Sequence, residues 1–138
     1  MTMSKPCVAI IGGGPYGLSL ASHLAARNVA HRIFGRPMAF WSQIARAGSR
    51  RYLKSYCFGT NISSPHPGST FADYNGPRGL ETFEPCSIEN FASYGLWFQE
   101  HNVDWTEPVD VANVSWRRQS FVLTLDNGEE VEASDVIV

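Results

Sequence analysis

Glycines at positions 12, 14 and 17 stand on the spacing G-x-G-x-x-G, and of all residues in this chain their type and order point most directly to chemistry. Binding a diphosphate with backbone alone requires N–H donors and free room, and a sharp strand-to-helix turn built from residues without Cβ supplies both. Gly12 would make the tight exit from the strand, Gly14 would leave space for a pyrophosphate, and Gly17 would let the helix pack closely on the strand. Gly13 and Tyr16 fill the remaining turn positions, and Pro15 suits the first helical turn, where its missing N–H is not needed. The motif carries weight only if a strand precedes it and a helix and second strand follow.

The flanking sequence meets that condition. Residues 7–11 are a continuous apolar run rich in β-branched side chains, the pattern of a parallel strand covered on both faces. Leu18, Ala21, Leu24 and Ala25 recur at helical spacing as an inward stripe, Asn28 suits a left-handed stop, and residues 30–34 read as a second strand. The competing reading is a glycine-rich turn that binds nothing.

Composition is that of an ordinary globular domain: 138 residues, 43% hydrophobic and 17% charged. A chain of this length buries roughly two thirds of its unfolded surface as one domain. No run approaches the ~20 apolar residues of a membrane span, and the first six residues lead into a strand rather than a signal-peptide core, so the expected location is cytoplasmic. Cys7, Cys57 and Cys86 are odd in number and widely spaced, which argues against a disulfide scaffold, a zinc site or a dithiol centre and for reduced thiols. No metal site is expected.

Charge is segregated. Residues 1–72 hold eight Lys or Arg and no acid, whereas residues 73–138 hold all thirteen acids and three Arg. The glycine half therefore stands at +8 and the remainder at −10, which draws an anionic ligand to the glycine half. A nucleic-acid patch is disfavoured because no nucleic-acid motif accompanies the charge.

Further along, residues 37–46 suit a short helix over the nucleotide end of the domain, with Met38, Phe40, Trp41 and Ile44 as apolar positions. Residues 48–79 read as one long irregular segment, ordered by Tyr52, Tyr56, Phe58, Phe71 and Tyr74. Ser87 caps a helix running to about His101, with Ile88, Phe91, Ala92, Gly95 and Phe98 on one face. A short strand is expected over 103–106, then a meander of strands over 109–116, 121–125 and 130–133, then a buried strand beginning at 136. The four His share no ligand-like spacing and read as surface or capping residues.

In this order the segments resemble the flavoproteins with two dinucleotide-binding domains, above all the flavin-containing monooxygenases and related bacterial FAD-dependent oxidoreductases. The carriers are Gly12-Gly13-Gly14-Pro15-Tyr16-Gly17, the Phe40-Trp41 pair, Thr60-Asn61-Ile62-Ser63, the meander, and the closing Asp135-Val136-Ile137-Val138. The resemblance implies a Rossmann-like, doubly wound parallel sheet with an antiparallel β-meander insertion, residues 1–138 forming an FAD/NAD(P)-binding domain that is incomplete at its C-terminus. It implies FAD as cofactor, its pyrophosphate at Gly12–Gly17, Trp41 and Asn61 towards the isoalloxazine, and backbone near Val109 at the adenine. It also implies NADPH or NADH as reductant, a small-molecule substrate, and flavin reduction followed by oxygen activation carried by the cofactor. No catalytic side chain is assigned. For Asn61, service to the loop backbone as in an Asx-turn is an equal alternative.

One departure stands out. Where such proteins place an acid at the end of the second strand to bind the adenosine ribose, this chain has Phe34-Gly35-Arg36, and no carboxylate occurs before Asp73. An Arg there suits a 2′-phosphate, so an NADP(H)-binding reductase or sensor domain is the second reading, while stacking of Arg36 on adenine keeps FAD open. A non-catalytic nucleotide-binding module is a third. The apolar ending at 136–138 leads to the expectations that the chain alone does not turn over and that exposed apolar surface favours a homodimer.

Overall fold

The computed structural model describes residues 7–48 and 50–138. The leading residues 1–6, with Lys5, and Ser49 lie outside the described residues.

Strand β1 (Val8–Ile11) leads into helix α1 (Pro15–Ala26) and strand β2 (His31–Phe34). β1 is central in a parallel three-stranded sheet, between β2 and a final strand, β8 (Asp135–Ile137). The unbroken apolar run of β1 follows from that placement, because alternate side chains enter different cores. Ile10 and Ile33 join the helical core with Leu18, Ala21, Met38, Phe91, Tyr94 and Phe98, whereas Ala9 and Phe34 join a second core with Leu123, Leu125, Val131 and Ala133. One face of the sheet is thus covered by helices and the other by the meander, the Rossmann-like arrangement expected.

Helix α2 (Ala39–Arg46) follows β2, and helix α4 (Ile88–Asn102) packs beside it. Between them lie strand β3 (Tyr52–Tyr56), a 3₁₀ turn (Cys57–Gly59), the short helix α3 (Phe71–Asn75), a second 3₁₀ turn (Gly76–Arg78) and strand β4 (Pro85–Ser87). The meander comprises β5 (Val111–Arg117), β6 (Ser120–Leu125) and β7 (Glu130–Ala133), paired antiparallel in that order.

Four expectations need correction. Residues 48–79 are not one irregular segment: β3 pairs antiparallel with β4, and α3 is closed by a capping box in which Thr70 and Asp73 satisfy each other's backbone. Residues 103–106 form no strand; the chain there makes a single parallel bridge between Phe34 and Glu107. Ala25 is exposed, and Ser22 takes its place in the buried stripe, because Ser22 Oγ donates to the Ser19 carbonyl at 2.7 Å and so loses its polar cost. The last strand spans Asp135–Ile137 and is not buried: it is an edge strand in which Asp135 and Ile137 are exposed and Val136 is half-buried.

Candidate functional site

The glycine turn is held by backbone alone. Gly12 N donates to Phe34 O at 2.8 Å, Met38 N donates to Gly13 O at 2.9 Å, and Leu18 N donates to Gly14 O at 2.9 Å. These bonds fix the turn against the ends of β1 and β2, the carboxyl edge where parallel α/β sheets bind ligands. Gly12 has φ of 117°, a conformation that side chains resist. At Gly17 a Cβ would overlap the Gly12 carbonyl oxygen, so the helix sits too close to the strand exit for any other residue. Gly13 and Gly35 touch in the same way: a Cβ on Gly13 would meet the Gly35 oxygen at 2.9 Å.

Gly14 differs from all of these. It is the N-cap of α1 with extended backbone, φ −77° and ψ −175°, and a Cβ built there would meet nothing within 4 Å. No side chain caps the helix, no acid lies in its first turn, and Pro15 follows. The protein fold itself has no need of glycine at position 14. What remains is open space over orphan N–H groups and the positive end of a helix dipole, which fits an anion such as a diphosphate. Tyr16 stands 91% exposed beside it.

Arg36 is exposed immediately after β2. The carboxylate nearest that strand in the fold belongs to Glu107, and it is already engaged: Arg32 Nε and Nη2 donate to its two oxygens at 2.8 and 2.5 Å, with Glu129 a third member at 3.4 Å. These hydrogen bonds to Glu107 push the Arg32 pKa upward. Glu107 also uses its backbone, donating to Ile33 O at 2.9 Å and accepting from Gly35 N at 2.8 Å. It therefore splints the end of β2, and Gly35 with it, against the glycine turn. Sequence reading missed this residue because its partner Arg32 lies 75 positions away.

Trp41 is half-buried and packs edge-on against Phe91, ring centroids 4.9 Å apart, with Phe40 on its other side at 5.4 Å. Asn61 is spent on the loop: its Nδ2 donates to Phe58 O at 3.1 Å and its Oδ1 accepts from Phe71 N at 2.8 Å. Those contacts match the loop-supporting role given as the alternative. Val109 is half-buried against the meander core, its N–H donating to Glu107 O at 2.8 Å.

The segment bearing Asn61 is tied to α1 and α4. Ser19 Oγ donates to Ser63 O at 2.7 Å, and His23 Nε2 lies 2.9 Å from Ser63 Oγ. Arg27 Nη1 lies 3.5 Å from His23 Nδ1, and these contacts anchor the segment to α1. From α4, Tyr94 OH donates to Ser69 O at 2.7 Å and accepts from Ile62 N at 3.1 Å, and burial pushes its pKa up to about 12. Met38, wholly buried in a left-handed conformation, joins the turn to α4 by lying over Gly95. Among the described residues no cluster of three metal-ligating side chains occurs, and no helix is long and apolar enough to cross a membrane.

No protein-family model matches the sequence, and no curated protein matches it. Solved structures do match in fold. The bacillithiol disulfide reductase of Staphylococcus aureus is 18% identical, with a TM-score of 0.70 over 97% of this chain and 38% of its own. A flavin-containing monooxygenase from Stenotrophomonas maltophilia is 19% identical, with a TM-score of 0.70 over 95% of this chain and 37% of its own. A steroid monooxygenase bound to NADP is 14% identical, with a TM-score of 0.68 over 94% of this chain and 25% of its own. At these identities the likeness establishes a Rossmann-like α/β fold, and the chain spans well under half the length of each.

Proposed function

We propose that this chain is the FAD-binding portion of an NAD(P)H-dependent flavoprotein oxidoreductase of monooxygenase type. The observation that carries the reading is Gly14: glycine stands where the fold tolerates any side chain, at an uncapped helix start on the carboxyl edge of a parallel sheet. Space kept clear of protein there is space for a ligand phosphate. The fold shared with the monooxygenases named above favours FAD as that ligand.

In this reading the residues 12–17 hold the pyrophosphate through N–H groups and the α1 dipole. Gly35, Arg36 and the backbone at Val109 lie towards the adenosine, and Trp41 and the segment through Asn61 towards the flavin ring. FAD, when bound, supplies acceptance of a hydride from NADPH or NADH and onward reaction with dioxygen and a small-molecule substrate. The protein contributes placement: Met38, Ser19, His23 and Tyr94 fix the turn and the 60–64 segment to one rigid helical core. The active enzyme contains further chain beyond these residues, as the length of the structural neighbours suggests.

The test is Gly14→Val. Its backbone suits valine, and loss of glycine as N-cap costs about 1 kcal/mol of stability, so the variant should fold while FAD binding, followed by calorimetry and the visible flavin absorption, drops at least tenfold. Unchanged FAD affinity in a folded Gly14→Val protein would remove the proposal's basis.

A second reading, in which the turn binds NADP(H), is favoured by the exposed Arg36 together with the engagement of Glu107 by Arg32, which leaves that strand end without a free carboxylate for a ribose. Arg36→Ala separates the two. It should erase a preference for NADPH over NADH in the second reading, through loss of a charge-assisted pair, and weaken FAD only modestly in the first.

A further inference from the structure

Glycine is a poor choice in the middle of a long helix, because it loses more backbone freedom on folding than any other residue and brings no side chain to pack. Helix α4 nevertheless carries Gly95, buried, at its centre. A Cβ built there would lie 2.5 Å from Cγ, Sδ and Cε of Met38, so the methionine side chain lies directly on the helix backbone. A shift of that side chain would be the usual relief, and here it is closed. Met38 is 0% exposed and shares its core cluster with Leu18, Phe91, Tyr94 and Phe98. Withdrawal of α2 from α4 is resisted as well, since Trp41 rests edge-on against Phe91, one turn before Gly95, with ring centroids 4.9 Å apart.

Met38 is tied at its backbone too. It is the N-cap of α2 with φ 53° and ψ 23°, a left-handed conformation uncommon for a residue with a Cβ and held only where the surroundings demand it. Its N–H donates to Gly13 O at 2.9 Å, and its carbonyl accepts from Ser42 N at 2.9 Å. Gly13 has no slack of its own, for a Cβ there would meet the Gly35 and Arg36 carbonyl oxygens at 2.9 Å. The peptide joining Gly13 to Gly14 is planar and trans, so its oxygen and its N–H point in opposite directions. With the oxygen held by Met38, the Gly14 N–H faces away from Met38.

We infer that Met38 and Gly95 are positioning residues for the nucleotide. Met38 fixes the plane of the Gly13–Gly14 peptide and with it the direction of the Gly14 N–H, and Gly95 leaves the room that lets Met38 lie where it does. This assignment rests on the turn at Gly12–Gly17 holding a pyrophosphate, as proposed above, and adds a control over that turn from a helix far along the chain. An N–H bonds a phosphate oxygen well only when nearly in line with it, so a tilted peptide weakens the ligand without removing the donor. Alanine in mid-helix would by propensity alone favour α4; here its methyl displaces Met38 and tilts the peptide.

The test is Gly95→Ala, alone and combined with Met38→Ala, read by two measurements. In amide hydrogen exchange of the nucleotide-free protein, the Met38 N–H should lose protection by about tenfold, while that of Leu125, which donates to Glu129 O in the meander, is unchanged. FAD affinity, followed by titration, should fall about fivefold or more as the donor tilts. In a Met38→Ala background the same glycine substitution should alter affinity by less than about twofold, because the obstructing side chain is gone, whereas a general loss of packing would persist there. Unchanged Met38 protection in a folded Gly95→Ala protein, lost protection with unchanged FAD affinity, or a fall in affinity that persists with Met38→Ala would each overturn the proposal. If Gly95→Ala does not fold, the combined variant decides: it should fold and match Met38→Ala alone, and equal misfolding overturns the proposal. A wild-type chain that binds no FAD would count against the functional reading instead, and the exchange result would still decide whether Gly95 sets the turn.

Discussion

Helices α1 and α4 begin alike and are finished differently. Each leaves a strand and runs beneath the parallel sheet or beside it, yet α4 closes its own first turn. Ser87 Oγ accepts from Asn90 N at 3.0 Å, and Glu89 lies within the first turn against the dipole. At α1 the cap is Gly14, with no side chain and no acid. The start of α2 at Met38 likewise has no side-chain cap and no acid, so what sets α1 apart is the clear space at Gly14, where an added Cβ would meet nothing within 4 Å; an anion bound there would satisfy the free N–H groups and the positive end of the dipole. The difference also divides labour: α4 carries Tyr94, Phe91 and Phe98 into the core, and α1 presents a start clear of protein side chains.

Four changes would break or sharpen that contrast. The largest effect belongs to Gly17→Ala, whose added methyl would overlap the Gly12 carbonyl; chemical denaturation should show a loss of about 3 kcal/mol or outright misfolding. Next is Gly14→Ser, which converts the α1 start to the α4 type. Its melting temperature should hold or rise, because serine caps better than alanine and at least as well as glycine, while affinity for FAD should fall about tenfold or more, as measured by titration. Equal affinity would mean that the openness of α1 serves no ligand.

Tyr94 is the third. Burial holds its folded pKa at about 12, above the ordinary tyrosine value of about 10, so its contribution is fully present below pH ~10 and is lost as pH rises towards 12. Each pH unit across that window removes roughly 1.4 kcal/mol through this one proton. Thermal melts from pH 9 to 11.5 should therefore fall less steeply for Tyr94→Phe than for wild type; parallel slopes would show that Tyr94 does not carry the dependence. The smallest effect is Ser87→Ala, a loss of about 1 kcal/mol from the missing cap, with nucleotide affinity unchanged. A fall in affinity there would tie α4's start to the ligand and erase the distinction.

Much of this was legible in residue order, because it depends on interactions within a few positions. The apolar run of β1, the glycine spacing, Pro15 in the first turn, the left-handed Asn28 with φ of 55°, the Ser87 cap and the turn through Gly128 with φ of 86° are all local choices of backbone conformation or spacing. What only the tertiary structure decided depends on partners far apart in sequence. Residues 103–106 looked like a strand by composition, yet the bonds of Glu107 to Ile33, Gly35 and Arg32 hold that stretch to a single bridge. The two ends of the Asn61 amide meet Phe58 O and Phe71 N, partners 3 and 10 positions away. Short-range sterics write themselves into spacing, whereas pairings closed across long loops are set by the packing of the whole chain and leave no local mark.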